Sequence, residues 1–182
     1  VDGSETGTSF RQALHFKDIG LRLHDTMIYL KNQLAFPDSV RYFNAFEYMF
    51  ILSKGTAKTF NPIMDRDNVS AGRTVHGCER KRDGTLRQEK ACNGNVISDK
   101  GVRWNYWLVY NQSRGLETQH PAIFPEQLAR DHILSWSNEG DTVLDCFSGS
   151  GTTIKMTRET GRKGIGIEVN PEYCEITRKR LS

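Results

Sequence analysis

One run constrains this chain more than any other: Thr142-Val143-Leu144-Asp145-Cys146-Phe147-Ser148-Gly149-Ser150-Gly151-Thr152-Thr153. Its β-branched and apolar residues predict a short buried strand. An acid stands at the strand's end, a glycine-rich turn follows, and a helix begins. Gly149 and Gly151 lack Cβ atoms, so the turn can take positive φ and a ligand can approach its backbone closely. The first N–H groups of the helix have no partner within it and point at whatever lies there.

The surrounding residues narrow the ligand. A dinucleotide fingerprint would need a third glycine where Ile154 stands, and no Gly-Lys-Ser/Thr run marks a phosphate-binding loop. Gly161 ends the helix, and Gly164-Ile165-Gly166-Ile167-Glu168 predicts a second strand closing on an acid. An acid so placed in a βαβ unit reaches ribose hydroxyls. Together these features suit a ligand with a ribose and a charged tail but no phosphate requirement.

At this point the run Asp145 to Thr153 resembles the S-adenosylmethionine motif of the amino-directed DNA methyltransferases, which act on adenine N6 or cytosine N4. Upstream, His120-Pro121-Ala122-Ile123-Phe124-Pro125-Glu126 is similar to the motif that precedes the glycine loop in circularly permuted members. Those members carry their recognition segment before the cofactor motifs. The resemblance implies an α/β, Rossmann-like, S-adenosylmethionine-dependent methyltransferase fold. It implies a cofactor site drawn from His120, Ile123, Phe124, Asp145, Phe147, Gly149, Gly151, Thr152, Glu168 and Val169. Backbone N–H groups of the turn would bind the cofactor carboxylate and Asp145 its ammonium. Glu168 would accept from both ribose hydroxyls, and Val169 would pack on the adenine. Read without the resemblance, Glu168 is a surface acid before a helix and Asp145 a counter-charge at a helix N-terminus.

The family's catalytic tetrapeptide, Asp/Asn/Ser-Pro-Pro-aromatic, is absent: none of the five prolines is followed by another. In the family that peptide accepts hydrogen bonds from the target amino group and stacks on the flipped base. In permuted members it lies upstream of the first helix, so it is expected to precede Val1, together with two central strands. The expectation is therefore a permuted fold missing its central catalytic strands, the C-terminal part of a longer enzyme. No catalytic residue is assigned within these 182 residues. The alternative is a catalytically inactive DNA-binding remnant; a small-molecule or RNA methyltransferase is a third reading.

The resemblance implies three regions: 1–55, the C-terminal part of the catalytic subdomain with a helix and a strand pair; 56–115, target recognition and DNA contact; and 116–182, S-adenosylmethionine binding. Residues 54–114 hold 12 Lys/Arg against 6 Asp/Glu, whereas the flanks are slightly acidic. A localised basic excess suits a double-stranded DNA backbone, or equally a solvated loop. Arg66, Arg73, Arg80, Lys81, Arg82 and Arg87 are the candidate DNA contacts. Trp104, Tyr106, Trp107 and Tyr110 then predict a packed return strand or a partly exposed stacking surface. His76, Cys78 and Cys92 could supply three metal ligands without an obvious fourth, so no metal is expected. The four cysteines lack Cys-x-x-Cys spacing and suit reduced thiols in a cytoplasmic protein; the resemblance implies one of prokaryotic or phage type. No apolar run approaches the ~20 residues of a membrane span.

Elsewhere, Ser9 and Gln12 predict a capping box opening a helix over 10–19. Residues 26–30 and 46–52 predict an antiparallel strand pair. The aromatics Phe43, Phe46, Tyr48 and Phe50 are read as a core strand over a base-stacking platform. Pro125 and Glu126 open a helix with a core stripe of Leu128, Ala129, Ile133 and Trp136. Asn170-Pro171 caps the last helix, whose apolar face is Tyr173, Ile176 and Leu181.

Overall fold

A computed structural model describes residues 6–31, 42–74, 82–85, 94–110 and 124–182. The chain divides into two compact units, Val1–Asn61 with Asn105–Ser182, and Pro62–Trp104.

The first unit opens with helix α1 (Thr8–Asp18). Its N-cap is Gly7 in the left-handed region, with no side-chain cap bond, so Ser9 lies inside the helix and the expected capping box does not form. Glycine takes that backbone conformation without a Cβ penalty. Strands β1 (Arg22–Leu30) and β2 (Phe46–Ser53) pair antiparallel, with a bulge between Leu23 and Asp25. The pair is the predicted one, with β1 starting earlier than its β-branched centre suggests.

Two-residue periodicity sorts this sheet's faces. Met27 and Tyr29 of β1 are buried with Trp107 and Val109, and Met49 and Ile51 of β2 pack on them. Trp107 belongs to β5 (Tyr106–Leu108), which runs parallel to β1 and gives the order β2-β1-β5. The opposite face carries Tyr48 stacked on Phe50 and edge-on to Phe46, with Phe10 of α1 against Tyr48. These aromatics are packed on one another but only half covered, since Phe46 and Phe10 keep 38% and 54% of their surface. The Trp104–Tyr110 segment likewise divides. Trp107 is buried, while Trp104, Tyr106 and Tyr110 are exposed.

Helix α2 (Glu126–Trp136) joins the two halves of this unit's core. Leu128 and Trp136 pack on the β1–β2–β5 cluster, whereas Ala129 and Ile133 pack with Met156 and Val143. All four residues of the predicted stripe are used. Asn61 closes the helix's C-terminal end, its side-chain amide donating to the carbonyls of Leu134 and Ser137 at 3.1 Å each.

Strand β6 (Thr142–Asp145), helix α3 (Thr152–Glu159) and strand β7 (Lys163–Gly166) then form the predicted βαβ unit, followed by α4 (Pro171–Leu181). β6 and β7 pair in parallel from Thr142–Lys163 to Asp145–Gly166. The strand was expected to be buried; instead Leu144 is 55% exposed and Ile165 51%. Among the described residues, the covered face is the one that carries Val143, packed on by α2 and α3. Among the described residues β6 bonds only to β7 and β2 only to β1, so the two sheets do not merge. β7 ends two residues before Glu168, which lies in the following loop. In α4 the expected apolar residues Tyr173, Ile176 and Leu181 are half-buried rather than core.

The second unit holds strands β3 (Arg66–Asp67) and β4 (Lys100–Gly101), paired antiparallel, and a bridge between Thr74 and Val96. The loss of periodicity in its sequence matches these two-residue strands. Among the described residues no helix is long and apolar enough to cross a membrane, and no cluster of metal-ligating side chains forms.

Candidate functional site

The glycine run folds as a tight bend between β6 and α3. Gly149 and Gly151 have φ of 50° and 80°. At Gly151 a Cβ would also stand 2.5 Å from Thr177 Cγ2, so both conformation and space demand glycine. The bend is tied to the end of β7. Ser148 N–H donates to the Ile167 carbonyl at 3.0 Å, and Ile167 N–H to the Asp145 carbonyl at 2.8 Å.

Glu168 meets the bend directly. Its Oε2 accepts from Gly149 N–H at 2.8 Å and its Oε1 from Asn170 N–H at 2.9 Å. Both oxygens are thereby oriented by backbone donors. Asp145 caps the bend from the other strand, its Oδ1 accepting from Phe147 N–H at 3.0 Å. It acts here as a local turn-former rather than as a free counter-charge. Beside the carboxylate the chain exposes apolar surface, with Phe147 92%, Val169 96% and Ile167 55% exposed. An oriented carboxylate, a bend with two positive-φ glycines and an uncovered apolar margin lie within one short stretch of backbone.

Of the ten expected cofactor residues, Asp145, Phe147, Gly149, Gly151, Thr152, Glu168 and Val169 come together around this bend. Phe124 stands 42% exposed just before α2. His120 and Ile123 lie outside the described residues.

Several residues that hold the site were not among the expected cofactor residues. Gly164 and Gly166, read only as strand residues, permit the close approach of α3: a Cβ at Gly164 would overlap Thr157 Oγ1, and one at Gly166 would come within 3.0 Å of Ile154 Cγ1. Glu126, expected merely to sit at the positive end of α2, is a junction. Lys155 Nζ donates to both its oxygens at 2.8 and 3.0 Å, and Arg180 Nη2 to Oε1 at 2.7 Å. Burial pushes the Glu126 carboxyl up, but the two cations outweigh it and hold it below the usual range. From α4, Arg180 Nη1 also donates to the Ser150 carbonyl at 2.7 Å, and Thr177 Oγ1 to the Gly149 carbonyl at 3.2 Å.

In the second unit Arg66 is half-buried. Its guanidinium lies 4.4 Å over the Trp104 ring and its Nε donates to the Val102 carbonyl at 2.9 Å. Arg103 pairs with Asp65, its Nε 2.9 Å from Oδ2, and holds that carboxyl below its ordinary range. Arg73 and Arg82 are exposed. Arg80, Lys81 and Arg87 lie outside the described residues, as do His76, Cys78 and Cys92.

Against known proteins, the DNA methylase family profile matches residues 1–179. The chain belongs to that family. It is the family of amino-directed DNA methyltransferases that the glycine-loop motif resembles. The orphan methyltransferase M.BamHII of Bacillus amyloliquefaciens is 54% identical over 98% of this chain and 69% of its own. Among solved structures, the M1.HpyAVI–SAM complex superposes with a TM-score of 0.66 at 23% identity, over 98% of this chain and 72% of the other. The cytosine-N4-specific PvuII DNA methyltransferase superposes with a TM-score of 0.67 at 19% identity, over 100% and 60%. The fold is thus that of S-adenosylmethionine-dependent DNA methyltransferases, and the chain spans about two thirds of the lengths it matches.

Proposed function

We propose that this chain binds S-adenosylmethionine at the bend 147–152 and Glu168, and serves methyl transfer to the exocyclic amino group of adenine or cytosine in double-stranded DNA. One observation carries the reading: the Glu168 carboxylate is oriented by the N–H of a positive-φ glycine, beside exposed apolar Val169. The donor set fits the ligand. Glu168 accepts from the ribose hydroxyls, Val169 and Phe147 offer apolar surface to the adenine, and the glycine backbone admits the amino-acid end without steric cost. His120, Ile123 and Phe124 would close over that end, with Asp145 and Thr152 at its polar margin. When bound, the cofactor supplies an electrophilic methyl group on its sulfonium; the residues of this chain orient it and do no bond-making themselves.

Arg73, Arg80, Lys81, Arg82 and Arg87 are proposed to meet the DNA backbone, with Arg66 contributing through its remaining donors. The acceptor peptide and the strands that carry it are proposed to come from polypeptide outside this sequence. Among the described residues β2 and β6 each keep an edge without a neighbouring strand, and with the exposed Leu144 and Ile165 this supports that reading, because unpaired strand edges and apolar faces are costly to leave in water. A cytoplasmic location goes with this reading.

Titration calorimetry with S-adenosylmethionine tests the first part: no saturable binding by the chain, at any concentration up to millimolar, would refute it. The second part is tested by methylation of duplex DNA with and without the corresponding upstream segment of a longer relative. Activity appearing only on addition supports a split site. Salt-sensitive DNA binding with no methylation in either case supports the inactive remnant instead.

A further inference from the structure

We infer that Arg180 and Thr177 of α4 are positioning residues that set the direction of one loop amide, the Ser150 N–H, left for the ligand. The inference rests on the proposed cofactor reading.

Four of the bend's amides are engaged within the chain. Phe147 donates to Asp145 Oδ1, Ser148 to the Ile167 carbonyl, Gly149 to Glu168 Oε2, and Gly151 to the Ser148 carbonyl at 2.8 Å. Among the described residues, Ser150 N–H has no acceptor, although Ser150 is only 4% exposed. Buried backbone donors without a partner are rare in folded proteins. An anionic ligand end would satisfy this one.

Its direction is decided from α4. In a trans peptide the carbonyl and the N–H point opposite ways. Thr177 Oγ1 holds the Gly149 carbonyl, so the Ser150 N–H of the same peptide is turned away from α4. Arg180 Nη1 holds the next carbonyl, that of Ser150, and touches Ser150 Oγ and Thr152 Oγ1 at 3.2 and 3.3 Å. Thr177 and Arg180 are three residues apart and share a helix face. Arg180 is itself held, since its Nη2 donates to Glu126, which Lys155 also grips. A guanidinium can do this with two separate nitrogens in fixed geometry, which an ammonium cannot.

The device predicts a split between the ends of the cofactor. Losing it should weaken the amino-acid end and spare the nucleoside end, which Glu168 and Val169 hold. Titration calorimetry would compare S-adenosylmethionine with 5′-methylthioadenosine, which lacks the amino-acid tail. For Arg180→Ala, affinity for S-adenosylmethionine should fall about tenfold, the scale of one charge-assisted hydrogen bond, with methylthioadenosine affinity within twofold of the unaltered chain. Arg180→Lys should restore less than half of the loss on a logarithmic scale. Thr177→Val keeps the side chain's size and should show the same split, about threefold. Arg178→Ala, which removes an exposed pair with Glu175 on the same helix, should change neither.

If Arg180→Ala does not fold, as read by circular dichroism, Thr177→Val decides the question. Equal weakening of both ligands, or none, would overturn the inference while leaving the cofactor site standing. Failure of the unaltered chain to bind S-adenosylmethionine would overturn both.

Discussion

The cofactor bend and the compact unit Pro62–Trp104 use arginine for the same physical task, yet only one of them looks that way in sequence. At the bend, Arg180 spans 54 residues to Glu126 and 30 to Ser150, and it fixes backbone that carries the motif. In the second unit Arg66 and Arg103 fix backbone and ring positions around two-residue strands. The basic excess of that unit therefore overstates its free cations. An arginine stacked on tryptophan and bonded to a carbonyl is part of the frame, while Arg73 and Arg82 are exposed. A charge count cannot separate the two uses.

The sharpest way to break this contrast is at the bend. Gly151→Val should lower S-adenosylmethionine affinity more than ~100-fold, because the left-handed conformation costs a β-branched residue ~1–3 kcal/mol and its Cβ would stand 2.5 Å from Thr177 Cγ2. Calorimetric affinities near the unaltered value would show that the bend does not need its shape. Next in size, Glu168→Gln should cost ~1.5–3 kcal/mol of binding, the worth of hydrogen bonds to a charged group. The loss should appear equally with methylthioadenosine, since it falls on the ribose.

In the second unit, the two kinds of arginine should part company. Arg66→Ala removes a cation–π contact and a hydrogen bond, so a loss of ~1–2 kcal/mol in unfolding free energy is expected. Arg82→Ala should leave denaturant unfolding unchanged and instead reduce the salt slope of DNA binding by about one. If both variants behave alike in both assays, the division into frame and contact arginines is wrong.

The smallest effect is on pH dependence. Burial of His132 against Trp107 and Met49 lowers its imidazole pKa. The unfolded chain therefore takes the proton first, and stability should begin to fall as pH drops through the ordinary imidazole range. Glu126 acts lower down. Its folded pKa is depressed, so the stability it confers is present above the ordinary carboxylate range and is lost as pH falls through its folded value. Thermal unfolding across pH 3–8 should show both stages (the range is of order that spanned by these groups), with His132→Gln removing the upper one.

Much of the strand–bend–helix region 142–181 was legible because its chemistry is local. A β-branched run, two glycines and an acid specify strand, bend and acceptor within a few residues, and Asn170 caps α4 as its sequence indicates, accepting from Glu172 N–H at 2.9 Å. The first helix was less so. Ser9 and Gln12 satisfied the capping pattern, but Gly7 opens the helix two residues earlier with a left-handed turn, and the serine cap was not needed. The exposure of Leu144 was not legible either, because an apolar strand reads the same whether one face or both are covered.

Residue chemistry alone determined the bend and the carboxylate that faces it, since both depend on backbone freedom and acceptor type at neighbouring positions, and the motif around them carried the resemblance to the family. Tertiary structure decided which polar groups are already engaged. Arg180, Thr177, Glu126 and Arg66 meet partners tens of residues away, and hydrogen bonds over such spans arise only when packing brings the elements together.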